Sequence, residues 1–218
     1  MPDLKKTTEL KFTIDRNLEF RFLGQVDYES SVLLQQDLLE DVKSGKMNIV
    51  LGLEHPAVIT LGYRADQNDQ VILNPTTPVI KSSRGGLATV HSEGQLVIYP
   101  LLNLRKLNWS VRDYVELLLK TTKETLNEYS IDSYLDLNNV GVYTPRGKIA
   151  FCGVQIKQGV SLHGISINVS NNLDLFNQIV SCGIKNPALD AVQNYVSSPS
   201  IEDVFSSWKN KFLNQTFS

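Results

Sequence analysis

Two cysteines, three histidines and a lysine at the head of an apolar run are the residues whose types and settings could support covalent chemistry in this sequence. Cys182 lies in Ser181-Cys182-Gly183, ahead of Lys185-Asn186-Pro187. In such a loop composition a thiol can be exposed, and the neighbouring glycine leaves room for an attacking geometry. Cys152 sits inside Lys148-Ile149-Ala150-Phe151-Cys152-Gly153-Val154, a strand-like run, and reads as a small buried hydrophobe. A free thiol is only slightly ionised at neutral pH, so a nucleophilic cysteine needs a base or a cation beside it. Histidine is the usual partner and lysine an alternative. Lys148, after the turn Pro145-Arg146-Gly147, stands where the alternating apolar run begins. Composition does not say that it faces Cys182.

The histidines fall in Glu54-His55-Pro56, Val90-His91-Ser92 and Leu162-His163-Gly164. They are too far apart, and too far from any cysteine pair, for a short-spaced metal site, so no metal is expected. Arg84-Gly85-Gly86 leads through Leu87-Ala88-Thr89-Val90 to His91 and then to Gly94-Gln95. Glycines there permit positive φ and close approach to a ligand, and Arg84 offers a planar donor fork. The segment is neither a Walker loop, lacking Gly-Lys-Ser/Thr, nor a G-x-G-x-x-G dinucleotide fingerprint.

Elements able to position these groups are legible along the chain. Leu10 to Leu23 alternates around Asp15-Arg16-Asn17, which predicts two strands and a turn. Asp27 caps a helix predicted over Tyr28 to Lys43, with Gly45 beyond its end. Short β-rich runs follow at Asn48 to Leu51, Val58 to Leu61, Val79 to Lys81 and Gln95 to Tyr99, separated by loops. Ser110 and Asp113 form a capping box for a second helix to about Tyr129. Val140 to Tyr143, Lys148 to Ile156 and Val160 to Val169 read as strands. In the last of these, Gly164, Ser166 and Asn168 share a face opposite His163, Ile165 and Ile167. Pro199, a box at Ser200 and Asp203, and the stripe Ile201, Val204, Phe205, Trp208 and Phe212 signal a final helix. Strands and helices interleave without a βαβ repeat, which predicts an α+β class: a mixed β-sheet flanked by helices, in one domain over residues 1–218.

The 218 residues carry 21 Lys and Arg against 23 Asp and Glu, with no block of like charge, which argues against a nucleic-acid partner held by counterion release. The N-terminal stretch lacks the apolar run of a signal peptide, and nothing approaches the 18 apolar residues of a membrane span. With two cysteines there is no disulfide framework, and a reducing cytoplasm is the expected location.

Taken together, the segments resemble the lipoate-biosynthesis octanoyltransferases. The resemblance rests on Arg84-Gly85-Gly86-x-x-Thr89-x-His91 with Gly94-Gln95-Leu96-Val97 and Tyr99-Pro100, then Gly147-Lys148-Ile149-Ala150-x-x-Gly153-Val154. It continues in Ser161-x-His163-Gly164 with Asn168-Val169, and in Cys182-Gly183. It implies the lipoate/biotin protein ligase catalytic-domain fold and no cofactor. The activity it implies is transfer of an octanoyl group from octanoyl-acyl carrier protein to a lysine of a lipoyl domain. The implied acceptors are the lipoyl domains of 2-oxoacid dehydrogenase E2 subunits and glycine cleavage H protein, and a monomer is expected. Carried over to these positions, Cys182 is the nucleophile and Lys148 the cation that lowers its pKa. Arg84, Gly85, Gly86, Leu87, Ala88, Thr89, Val90, His91, Phe151, Cys152, Gly153, Gly164, Ile165 and Ser166 surround the acyl group, with Ile165 contributing backbone. Val90, Ser92-Glu93 and Ser181 depart from the family pattern, and Glu93 adds a negative charge beside the cleft.

Three other readings compete. ATP-dependent lipoate or biotin ligases share the fold but carry a longer glycine-rich signature and need no nucleophilic cysteine. A Cys/His hydrolase would use His163 or His91 as base. A non-catalytic module binding lipoyl domains or acyl carrier protein would have no use for a reactive thiol. Lys81, Arg84, Arg146, Lys157 and Lys185 are the basic residues available to dock an acidic carrier protein.

Overall fold

The computed structural model describes residues 14, 17–65, 73, 75–181, 184, 185 and 188–216. A mixed seven-stranded sheet forms its centre. In chain order the strands of this sheet are β1 (Leu18–Gln25), β2 (Asn48–Glu54), β6 (Gln95–Leu101), β7 (Tyr134–Asp136), β8 (Gly141–Thr144), β9 (Gly147–Lys157) and β10 (Val160–Asn168). Their spatial order is β1-β2-β6-β10-β9-β8-β7, with β1 and β2 parallel and all other neighbours antiparallel. A smaller sheet runs β12-β11-β5-β3-β4, from β3 (Val58–Leu61), β4 (Val79–Lys81), β5 (Ala88–His91), β11 (Val180–Ser181) and β12 (Ile184–Lys185).

Both faces of the large sheet are covered, which is why β2 and β6 are buried almost end to end instead of alternating apolar and polar. Val50, Leu96 and Ile98 face a core shared with helices α3 (Val111–Glu128) and α4 (Ile201–Thr216), through Tyr114, Leu117, Leu118, Trp208 and Phe212. Their neighbours Ile49, Leu51, Leu53, Val97, Tyr99 and Leu101 face Leu39 and Val42 of helix α1 (Tyr28–Ser44). Each fully buried aliphatic or phenyl side chain in these layers contributes about 1.5–3 kcal/mol. The small sheet keeps its own cluster of Ile59, Ala88, Val90, Phe151, Phe176 and Ile179, to which β9 of the large sheet lends Phe151.

The helices begin where the capping residues place them. Asp27 accepts from Ser30 N (3.3 Å), and Gly45 closes α1 with φ +82°. Ser110 and Asp113 form the reciprocal box of α3, and Ser200 accepts from Asp203 N at the start of α4. A further short helix, α2 (Leu104–Leu107), is capped by Asn103. The strand predicted before Asp15 lies outside the described residues, as do Cys182 and Gly183; of Ser181, Ile184 and Lys185 only the backbone is described. No helix among the described residues is long and apolar enough to cross a membrane.

Candidate active site

A cavity of about 60 Å³ opens where the two sheets meet, room for roughly four to six waters at about 10–15 Å³ each. Its walls come from β5 and the turn before it, from β9, from β10, and from Tyr28 of α1 and Tyr99 of β6. Arg84, Gly85, Gly86, Leu87, Ala88, Thr89, His91, Lys148, Phe151, Cys152, Gly153, Gly164, Ile165 and Ser166 all line it. Val90 does not. On β5, Thr89 and His91 point into the cavity while Ala88 and Val90 pack into the small sheet's core.

Gly86 takes φ +89°, as a glycine turn before β5 requires. Arg84 is 7% exposed and bound to β3: Nε donates to Thr60 Oγ1 (3.0 Å) and an Nη to Thr60 O (2.6 Å). Its guanidinium thus fastens the turn to the sheet, and it drops out of the set of surface cations able to dock a carrier. Lys81, Arg146 and Lys157 remain exposed. Glu93 is directed elsewhere, accepting from Gln25 Nε2 (2.8 Å) of β1.

Lys148 is 5% exposed, yet everything described around its ammonium complements a positive charge. Nζ donates to Val140 O (3.0 Å) and Asn139 O (3.2 Å), and lies 5.2 Å from the Tyr143 ring centroid and 5.0 Å from that of Phe151. The carbonyls are held in turn. Asp136 Oδ1 accepts from the amides of Asn138 and Asn139, and Tyr143 OH donates to Asn139 O (2.9 Å). Gly141 is needed here for space: a Cβ at that position would collide with Lys148 Cε and Ala150 O.

The Lys148 backbone is fixed as firmly. Its N–H donates to Ala188 O (2.9 Å) and its C=O accepts from Asp190 N (3.0 Å). The fully buried Asp190 carboxylate accepts from Thr144 Oγ1 (2.5 Å), Tyr195 OH (2.6 Å) and Asn194 Nδ2 (2.7 Å). Burial alone would raise its pKa, but these donors outweigh it and hold the carboxyl below the usual range. Upstream, Ser181 pairs in parallel with Ala88 on the cavity wall.

The opposite wall is aromatic. His55 donates from Nδ1 to Val26 O (2.6 Å) and accepts at Nε2 from Tyr99 OH (2.9 Å); His91 donates from Nδ1 to Gln95 Oε1 (2.7 Å) and stacks on Tyr28 at 6.1 Å. Burial drives the pKa of His55 and of His163 down to about 4 and that of His91 well below its ordinary value, so all three rings are neutral at pH 7. The Cys152 thiol on the wall is pushed up to about 12, burial outweighing the nearby Lys148 charge.

The β10 wall departs from strict alternation. His163, at φ +56°, lines the cavity beside Gly164 and Ser166, whereas Ile165 and Ile167 keep their side chains in the core shared with α3 and α4 as alternation predicts. Sequence reasoning also missed Asp190, Gly141 and Tyr143; the sole signal for Asp190 was an acidic residue between Leu189 and Ala191-Val192.

A profile of the lipoyl protein ligase A/B catalytic domain matches residues 27–213. The chain belongs to that family. Within it, the octanoyltransferase of Ehrlichia chaffeensis is 36% identical over 200 residues, covering 89% of this chain and 92% of that one. The octanoyltransferase of Wigglesworthia glossinidia brevipalpis is 35% identical over 185 residues, 85% of each chain. In three dimensions the chain is similar to lipoate-protein ligase A bound with ATP, at TM-score 0.73 over 93% of this chain and 85% of that one. It is also similar to a lipoate protein ligase from T. acidophilum with bound lipoic acid, at TM-score 0.71 over 90% and 85%. At 14% and 15% identity those two likenesses establish the lipoyl ligase fold and not the reaction.

Proposed function

We propose that this chain is an octanoyltransferase that moves an octanoyl group from octanoyl-acyl carrier protein to a lysine of a lipoyl domain through an acyl-thioester on Cys182. The observation that carries this reading is the 36% identity with an octanoyltransferase over nine-tenths of the chain. The buried Lys148 ammonium on the cavity wall supplies the cation that the chemistry needs.

In the first half-reaction the Cys182 thiolate, stabilised by the Lys148 ammonium, attacks the donor thioester. The new C–S bond forms, the carrier thiolate leaves, and it takes a proton from Lys148 Nζ. One thioester replaces another, so no ATP is consumed. In the second half the lysine amine attacks the acyl-enzyme, neutral Lys148 takes the amine proton, and the thiolate–ammonium pair returns. The titrations of Cys182 and Lys148 belong to the pair. Donors for the transient oxyanion are backbone N–H groups near position 182; the N–H of Lys148 itself is already given to Ala188 O.

Intact-protein mass spectrometry after mixing with octanoyl-acyl carrier protein, without ATP, tests the reading. A thioester-labile octanoyl adduct is expected, absent in Cys182→Ser and slowed in Lys148→Ala. Labelling only when ATP and free octanoic acid are supplied would instead promote the ligase reading.

A further inference from the structure

A second cavity, of about 170 Å³, adjoins the first and lies between α1, the hairpin end of β9 and β10, and the turn before Arg84. Val32 and Leu162 give it an apolar side, and Gln35, Ser83, Gln155 and Lys157 a polar one. Among the described residues, His163 alone lines both cavities. Its ring stands between them. On one side it meets Tyr99 of the first cavity edge to face, with centroids 6.1 Å apart and planes at 88°. On the other, Nε2 lies 3.1 Å from the Oγ of Ser83, which lines the second.

The ring is pinned in that place. Ser83 Oγ donates its single proton to Gln155 Oε1 (2.9 Å) and therefore accepts from Nε2, while His163 N donates to the buried Gln35 Oε1 (2.7 Å). The backbone here is left-handed, φ +56°, where glycine sits without strain and a residue with a Cβ does not. The fold thus bears conformational strain to set a side chain at this point. Only 3% exposed, that side chain is a partition one ring thick.

Lys148 and His163 lie far apart along the first cavity. Val154, the strand partner of His163, stands six residues along β9 from Lys148, about 20 Å at about 3.3 Å per residue. Building on the acyl-transfer reading above, in which the acyl carbon reacts beside Lys148, we propose that the His163 ring sets the length of acyl chain this protein accepts. It stops the methyl end of an eight-carbon chain and denies longer chains the second cavity. An extended chain advances about 1.2 Å per bond, so octanoyl covers about 8 Å and dodecanoyl about 5 Å more, comparable with the reach of a histidine side chain. The longer chain has to displace a ring held by Ser83, Gln155 and Tyr99.

His163→Gly removes the partition and suits the left-handed backbone, so it joins the two cavities without adding strain. The test supplies octanoyl- and dodecanoyl-acyl carrier protein together, with a lipoyl domain as acceptor, and reads the two amide products by mass spectrometry. Both donors compete for the same enzyme molecules, so the product ratio does not depend on how much of a variant is folded. The unsubstituted protein is expected to favour octanoyl at least tenfold. In His163→Gly the dodecanoyl-to-octanoyl ratio should rise at least tenfold, since each methylene buried against Val32 and Leu162 is worth up to about fourfold. Adding Val32→Phe, which fills the second cavity from α1, should take most of that gain away again. Equal use of both donors by the unsubstituted protein, an unmoved ratio in His163→Gly, or a gain that survives Val32→Phe overturns the proposal. Absence of octanoyl transfer by the unsubstituted protein overturns the acyl-transfer reading itself and this proposal with it.

Discussion

The two walls of the cavity solve opposite electrostatic problems a few residues apart. Around Lys148, carbonyls of Asn139 and Val140 and the faces of Tyr143 and Phe151 keep a buried charge satisfied. Around His55, His91 and His163, rings pack mostly edge-on against rings and each imidazole is held neutral. The difference lies in what each group is offered. Among the described residues the lysine meets two carbonyl acceptors and two π faces, whereas the histidines meet neutral rings, one or two ring hydrogen bonds each and, for His91 and His163, the Arg84 cation. One cavity thus sets a lysine among acceptors and π faces on one wall against neutral imidazoles on the other.

Removing the charge should do most to break this contrast. Lys148→Met is expected to lower the rate of acyl transfer by about 10²- to 10⁴-fold, the range for losing a positioned proton-transfer group; a loss below tenfold in single-turnover assays would sink the assigned role. The histidine wall should show itself in stability against pH. His55 and His163 have folded pKa values of about 4 against 6.5 when unfolded, so below pH 6.5 the unfolded chain binds more protons than the folded one. Their full stability is present above pH 6.5 and is lost as pH falls towards 4, about 3 kcal/mol for each ring. Urea midpoints measured from pH 7.5 to 4.5 should fall across this window, and His55→Gln should flatten the slope; a flat profile in the unsubstituted protein would contradict neutral rings.

Smaller changes sharpen the lysine side. Gly141→Ala puts a Cβ against Lys148 Cε and should cost about tenfold in acyl transfer through misplaced geometry, with far-ultraviolet circular dichroism unchanged. Wild-type rates in that variant would mean the lysine has room to spare. Tyr143→Phe keeps the ring under Nζ but deletes the donor to Asn139 O, and about a threefold loss is expected, the worth of one partly exposed hydrogen bond. A loss as large as that of Gly141→Ala would show that the hydroxyl does more than steady a carbonyl.

How much of this was legible in the sequence differs by element. Helices α1, α3 and α4 carried their boundaries in Asp27, Gly45, the Ser110 box and the Ser200 box, local signals that tertiary packing did not overturn. Strand β5 was read as part of a loop because Thr89 and His91 face the cavity, leaving Ala88 and Val90 as too short an apolar signal. The Arg84 turn, Lys148 and the β9 and β10 residues were legible as motifs, and the structure gathers them around one cavity. The handedness of His163 was not legible: it depends on Gln35, 128 residues away, and alternation alone sent the ring to the wrong face. Asp190 and Gly141 escaped for the same reason, since their importance lies in what the fold brings against them.

Cys152 has a consequence for the fate of the acyl group. With its thiol pushed up to about 12 by burial, Cys152 stays almost wholly un-ionised at neutral pH and is a poor nucleophile. On the proposed route through an acyl-thioester on Cys182, sulfur-to-sulfur migration to Cys152, which would strand the cargo on a dead-end adduct, is suppressed by the burial that keeps this second thiol protonated.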